Sequence, residues 1–122
     1  MASDLQMNDK TLLELAAKAY GIVISNARYG EKLETLATAR FIGDQIYFFS
    51  KTGNVLWNPL TDDGDALRLA VMLEIELKFN DAGVAARAKY FDVWQGSMRT
   101  DDKNRAVRYV ITKAAAEVGK AA

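Results

Sequence analysis

Cysteine and histidine are both absent from the 122 residues of the chain. Their absence excludes disulfides, thiolate nucleophiles, zinc sites built from Cys and His, and catalytic triads with a histidine base. Any bound metal would have to be a hard cation held by oxygen atoms, such as magnesium or calcium. The preferred interpretation therefore assigns no catalytic residue, no metal site and no cofactor, and it leaves oxygen-based cation binding as the alternative.

An excess of one charge sign is missing as well, because 16 Lys and Arg residues balance 16 Asp and Glu residues. Without a net positive field the chain has no general attraction for nucleic acid or for anionic lipid. Long hydrophobic runs are also lacking, and the polar start MASDLQMNDK does not resemble a secretory signal. We therefore expect a cytoplasmic protein that binds neither nucleic acid nor a membrane.

The overall composition, with 50% hydrophobic and 26% charged residues, predicts one soluble globular domain covering residues 1–122.

Asn8 or Asp9 can cap a first helix with an apolar stripe at helical spacing, and Gly21 is placed to end it. A strand is predicted to start at Ile22. Residues 35–50 favour two strands joined near Gly43 and Asp44, with a helix over residues 31–40 as the alternative.

The second half of the chain predicts a short strand VLW, a helix over residues 62–73, a hairpin and a last helix. The hairpin would join EIELKF to VAARAKYFDVW through NDAG. Thr100, Asp101 or Asp102 could cap the last helix, which has the clearest amphipathic pattern in the chain. The predicted fold class is α+β, in the order α-β-β-β-α-β-β-α, with three helices packed on one mixed or mainly antiparallel sheet.

The stretch WNPLTDDGDALRLAV places three aspartates around one glycine at the predicted start of the second helix. The carboxylate of Asp62 can accept from a backbone N–H two or three residues later, and Asp65 can reach back as its capping-box partner. Asp63 lies in the first turn, where the helix dipole favours acidic side chains. Asp65 also stands three residues before Arg68, within reach of an ion pair.

A cation site is the alternative interpretation of the same acids. An EF-hand loop needs oxygen ligands at alternate positions before its glycine and a glutamate six residues after it. Pro59 and Ala70 occupy the first and last of those positions, so the spacing fails. A looser magnesium site shared with Asp101 or Asp102 stays open, but helix initiation is the preferred interpretation.

Two further residues of the stretch have two interpretations each. Gly64 costs helix stability, so either another segment packs against it or its N–H faces a ligand. Trp57 is expected to anchor the core, with a surface contact as the alternative. The candidate binding residues of the chain are Trp57, Asn58, Asp62, Asp63, Gly64 and Asp65.

The last helix carries a basic side that could touch nucleic acid. Acidic residues temper this charge, and a solvated face is the preferred interpretation. The basic residues concerned are Arg99, Lys103, Arg105, Arg108, Lys113 and Lys120, and the acidic ones are Asp101, Asp102 and Glu117.

The stretch WNPLTDDGDALRLAVML resembles the phage ABA-sandwich domain family, and LLELAAKAYGI and RAVRYVITKAAAEVGK resemble its opening and closing helices. The resemblance covers somewhat over a third of the chain. It implies an α/β sandwich, with helices on both sides of a sheet, in a phage or prophage protein of a bacterial host cell. It brings no activity and no assigned site residues.

Two functions are weighed on this basis. The preferred hypothesis is a non-catalytic accessory protein that binds an unknown protein partner or a second copy of itself. The alternative is a carboxylate-based protein or enzyme that binds magnesium or calcium through Asp62, Asp63 and Asp65.

Overall fold

The computed structural model of the protein describes residues 8–21, 23–24, 38–50, 53–88, 91–96 and 103–121. Its helices are α1 (Asp9–Tyr20), α2 (Asp63–Met72) and α3 (Lys103–Ala121). Its strands are β1 (Val23–Ile24), β2 (Thr38–Ile42), β3 (Gln45–Ser50), β4 (Gly53–Trp57), β5 (Glu76–Asn80), β6 (Gly83–Ala88) and β7 (Phe91–Gly96). None of the helices in these ranges is long and apolar enough to cross a membrane.

The α+β class and the alternation of helices with groups of strands are confirmed. The expectation of one sheet is wrong for the described residues, because their strands form two sheets, β1-β2-β3-β4 and β5-β6-β7. Only β1 pairs in parallel with its neighbour, and the other pairs are antiparallel. The separation has a local cause: α2 intervenes between β4 and β5, and each set of strands then pairs with its own neighbours in sequence.

The ends of α1 lie where the sequence predicts them. The Asn8 side chain accepts from the Thr11 N–H at 2.8 Å, so Asn8 rather than Asp9 is the N-cap. Gly21 ends the helix with a φ of 92°, a left-handed conformation that favours glycine. The first helix is therefore specified by residues within and beside it.

The predicted turns are also found. Gly43, with φ 64°, joins β2 to β3, and the Asn80 side chain accepts from the N–H groups of Ala82 and Gly83 at the start of β6. The alternative helix over residues 31–40 is wrong for Thr38–Arg40, which belong to β2, and residues 31–37 lie outside the described ranges. The segment VAARAKYFDVW forms parts of two strands, β6 and β7, instead of one. The predicted caps of the last helix at residues 100–102 lie outside the described ranges.

Two hydrophobic clusters share α3, which contributes a different face to each. The first cluster joins α3 to α1, α2 and the four-stranded sheet, and its buried residues are Leu13, Ala16, Ala17, Ala39, Ile46, Trp57, Ala66, Leu69, Ala70, Ile111 and Ala115. The second joins α3 to the three-stranded sheet through Val84, Ala86, Ala88, Ala106, Val110, Ala114 and Val118. The position of α2 is thus set by packing within the first cluster, where it meets α3.

Candidate functional site

Trp57 is the last residue of β4 and is only 3% exposed. Its ring centroid lies 6.0 Å from that of Tyr20, with the planes tilted by 31°, a geometry typical of packed aromatic pairs. The prediction that Trp57 anchors the core is confirmed, and the surface interpretation is wrong. Because Trp57 is fixed in the core, the chain enters the following turn from a defined position.

Asp62 caps α2 as predicted. Its Oδ2 accepts from the backbone N–H of Asp65 at 2.8 Å, while its own backbone is extended. The helix itself begins at Asp63, one residue after the predicted start. Such a cap is worth about 1 kcal/mol, because it satisfies a backbone donor that has no partner within the helix.

Asp65 holds the turn and the helix together. Its side chain is 11% exposed, its Oδ2 accepts from the buried N–H of Asn58 at 2.9 Å, and its Oδ1 accepts from Arg68 Nη2 at 2.7 Å. The ion pair with Arg68 is confirmed. The hydrogen bond to Asp65 is the main cause that raises the pKa of the Arg68 guanidinium above its usual value.

The capping-box prediction for Asp65 is wrong in its partner. The backbone N–H of Asp62 donates to the carbonyl of Asn58 at 2.9 Å, so it has no need of a side-chain acceptor. The turn after Trp57 brings the N–H of Asn58 to the start of α2, and Asp65 binds that group instead. The hydrogen bond of the Asp65 carboxylate therefore joins two residues seven positions apart, whereas a capping box joins residues three positions apart.

Asp63 links α2 to α3. Its Oδ1 accepts from Arg108 Nη1 at 2.6 Å, and its Oδ2 accepts from Asn104 Nδ2 at 3.2 Å. Arg108 also donates through Nε to the carbonyl of Leu60 at 2.9 Å, and its side chain is only 14% exposed. The prediction of a solvated basic face is therefore wrong for Arg108. No local sequence pattern reveals this contact, because the two residues stand 45 positions apart.

Gly64 leaves room for the side chains of its own motif. A Cβ atom at this position would lie 3.1 Å from Asp62 Oδ2 and 3.3 Å from both terminal nitrogens of Arg68. Both neighbours belong to the turn and helix that contain Gly64, so neither packing by a distant segment nor a ligand is needed to explain the glycine.

The three aspartates thus have their oxygens directed at donors of the protein itself. Within the ranges that the structure describes, no three acidic side chains are grouped as a metal site requires, and Asp101 and Asp102 lie outside those ranges. The geometry matches helix initiation and the fixing of a turn. The carboxylates serve as acceptors for backbone N–H and guanidinium groups.

Asn58 is buried, and its Oδ1 accepts from the Leu60 N–H at 2.9 Å. It lines a polar cleft of about 730 Å³ between the start of α1, the β2–β3 turn and the turn before α2. The cleft contains both signs of charge, with Asp9 and Asp44 opposed by Lys10, whose ammonium lies 5.0 Å from the centroid of the Phe41 ring. Asn58 is one of the predicted binding residues, and both its backbone N–H and its side-chain Oδ1 make hydrogen bonds that stabilise the turn.

The feature that sequence reasoning did not single out is the outer side of α2. Leu67, Val71 and Met72 are 63%, 69% and 59% exposed, whereas Ala66, Leu69 and Ala70 of the same helix are buried. We name the three exposed residues the apolar face of α2. The pattern was available in LRLAVM, which is apolar on nearly every side of a helix and so cannot bury all of its apolar surface against one neighbour.

Two depressions flank this face. One, of about 190 Å³, lies between α2 and α3, and Leu67 forms part of its wall. The other is an open depression of about 570 Å³ lined by Tyr20, Leu67, Arg68, Val71, Met72 and Glu74. Leu67 therefore lines both depressions and projects between them, a shape that can interlock with another apolar surface.

Comparisons with protein-family models, with curated proteins and with solved structures found no match to this chain. The resemblance to the phage ABA-sandwich domain family stays a prediction, and the site is interpreted from its own geometry.

Proposed function

We propose that this chain is an accessory protein, of phage or prophage origin and cytoplasmic in the bacterial host cell, that acts by binding another protein through the apolar face of α2. The observation that carries the proposal is the exposure of Leu67, Val71 and Met72 together on one side of a firmly held helix. Contiguous apolar surface rimmed by polar residues is a mark of interaction sites.

The aspartates of the motif support this role indirectly. Asp65 ties the start of α2 to Asn58, and Asp63 ties it to Arg108 of α3. A helix held at its start from two sides presents its outer residues without further ordering, which lowers the entropic cost of binding. In this proposal the acids position the binding face and take part in no catalysis.

Affinity capture with matched variants tests the proposal. The double variant L67Q/V71Q removes two of the three exposed apolar side chains and keeps residues that suit a helix. Val55→Thr is the control, because Val55 is also an exposed apolar residue but lies on β4. The bait would be the full chain, in a lysate of the bacterium that carries its gene, before and after prophage induction.

We expect one identified protein to be retained by the wild type and by the Val55→Thr control and to be lost with L67Q/V71Q. That protein must then bind the purified wild-type chain in a reconstituted pair. Equal retention by the double variant, with its melting temperature unchanged, would exclude the apolar face of α2 as the binding site.

A further inference from the structure

The outer side of β5 has no neighbouring strand in the described part of the chain. β5 ends the order β5-β6-β7, and it pairs there only with β6, in antiparallel fashion. A two-residue loop joins the two strands, so Asn80 and Gly83 beside the loop form a hydrogen-bonded pair, and every second residue of β5 repeats that pattern. The backbone N–H and C=O groups of Leu77 and Phe79 therefore point away from β6, toward the open edge.

This edge lacks two features that commonly prevent pairing with another chain. It contains no proline, and its residues pair one to one with β6, without a bulge. Phe79 is 59% exposed, whereas Leu77 on the same face of the strand is partly buried against both hydrophobic clusters. An open edge of this kind can accept a strand from another chain through its backbone groups.

Two charged residues on the opposite face of β5 determine which strand fits. Glu76 and Lys78 stand on either side of Leu77, and both are exposed. Neither has an ion pair in the ranges that the structure describes. Arg87 stands opposite Glu76 on β6, but it pairs with Asp92 at 3.6 Å instead. The edge thus presents one acidic and one basic group, two residues apart, with no partner of opposite charge.

A second copy of β5 is complementary to this edge when the two strands run antiparallel with a two-fold axis at Leu77. The two Leu77 residues then exchange backbone hydrogen bonds, and Glu76 of each copy lies opposite Lys78 of the other. An axis at Lys78 would use the same open edge but would place two ammonium groups opposite one another. An axis at Phe79 would leave Glu76 opposite the turn. Charge therefore selects the first register.

We infer that two copies of this chain pair through β5, antiparallel about Leu77, and so join their three-stranded sheets into one sheet of six strands. This inference goes beyond the proposed function, because the edge of β5 is distinct from the apolar face of α2. A pairing of five residues covers less than the roughly 800 Å² per partner of a stable interface, so the dimer is expected to dissociate near about 100 µM.

Cysteine crosslinking of the full chain tests the register, because the wild type contains no cysteine. Glu76→Cys and Lys78→Cys replace exposed side chains, so both variants should fold. In the inferred dimer these positions form a non-hydrogen-bonded pair with Cα atoms about 4.5 Å apart, which is within disulfide range. Under mild oxidation we expect an equimolar mixture of the two variants to crosslink at least about tenfold faster than either variant alone. Lys78→Cys mixed with Val55→Cys, an exposed position on the other sheet, is the control for random collision.

Charge exchange tests the ion pairs without cysteine. Glu76→Lys alone or Lys78→Glu alone places like charges opposite one another in both contacts, and the double variant E76K/K78E restores both pairs. Sedimentation equilibrium from about 10 µM to 1 mM, at low salt where exposed ion pairs are least screened, measures the dissociation constants. We expect each single variant to weaken the dimer several-fold and the double variant to regain wild-type affinity.

A wild-type chain that stays monomeric at 1 mM would overturn the inference. Crosslinking of Lys78→Cys alone as fast as the mixture would contradict the register, because only an axis at Lys78 brings those two residues together. A double variant no tighter than the single ones would contradict the ion pairs. A dimer that is lost in L67Q/V71Q and kept in both single charge variants would place the second copy on α2 and refute pairing through β5.

Discussion

Replacement of Asp65 by alanine tests whether the acidic motif is a structural device. The change leaves the buried N–H of Asn58 without its acceptor at 2.9 Å and removes a carboxylate that is 11% exposed. A buried donor left unsatisfied costs about 1 to 3 kcal/mol, and bonds to charged acceptors lie at the upper end of that range. We expect a loss of about 2.5 kcal/mol in the free energy of unfolding.

The stability costs of replacing the neighbouring aspartates provide a comparison for the cost of Asp65→Ala. Asp62→Ala removes an exposed cap and should cost about 1 kcal/mol. Asp63→Ala removes the exposed carboxylate that pairs with Arg108, whose side chain is only 14% exposed, and it should cost about 1 kcal/mol because Arg108 keeps its bond to the Leu60 carbonyl. Asp65→Asn keeps an acceptor for the Asn58 N–H but turns an amide toward Arg68, so its cost should be intermediate, about 1 kcal/mol.

Urea denaturation at neutral pH, followed by tryptophan fluorescence, measures these differences, because Trp57 is buried beside the turn. For a chain of this size a loss of about 2.5 kcal/mol lowers the melting temperature by roughly 10 °C. A cost for Asp65→Ala no greater than that for Asp63→Ala would refute the reasoning.

A titration with magnesium and with calcium completes the test of Asp65, because a genuine site would raise the melting temperature as it fills. The structural account expects no such increase that depends on the three aspartates. A rise in the wild type that each alanine variant abolishes would favour the cation site instead.

Two further substitutions test close contacts. Gly119→Ala would place a Cβ in steric conflict with the Leu15 carbonyl oxygen, so α1 and α3 must separate. We expect thermal unfolding to show a loss of about 3 kcal/mol or more in the free energy of unfolding. The exposed neighbour Lys120→Ala is the control and should show almost no loss. Gly64→Ala should change the free energy of unfolding, measured by urea denaturation, by no more than about 0.5 kcal/mol, because the gain in helix propensity is offset by displacement of the Asp62 cap. A loss above about 1.5 kcal/mol would mean that the glycine has another role.

The features predicted correctly from the sequence are those that depend on residues close together in the chain. Asn8 and Asp62 act as caps through N–H groups three residues later, and Asp65 binds Arg68 one helical turn away. Gly43 marks the β2–β3 turn for the same reason. The periodicity that predicts α1 and α3 is likewise local, so propensity and spacing determine these elements before any tertiary contact exists.

The features that could not be predicted depend on residues distant in sequence. Arg108 of α3 reaches Asp63 and Leu60, and Gly119 of α3 meets Leu15 of α1. Neither pairing leaves a periodic pattern in the chain.

The density of aspartates and the exposure of the apolar face have one physical connection. A ten-residue helix is too short to be stable alone, so α2 depends on its cap, on the Asp65 bond to Asn58 and on the Asp63 bond to Arg108. These bonds lie at its first turn, and none of them involves the exposed side chains of Leu67, Val71 and Met72. A helix fixed through its start can expose apolar residues along the rest of its length without losing its position. In the proposed function, that arrangement presents the apolar face of α2 to a partner, and the aspartates directly before it hold the helix that carries the face.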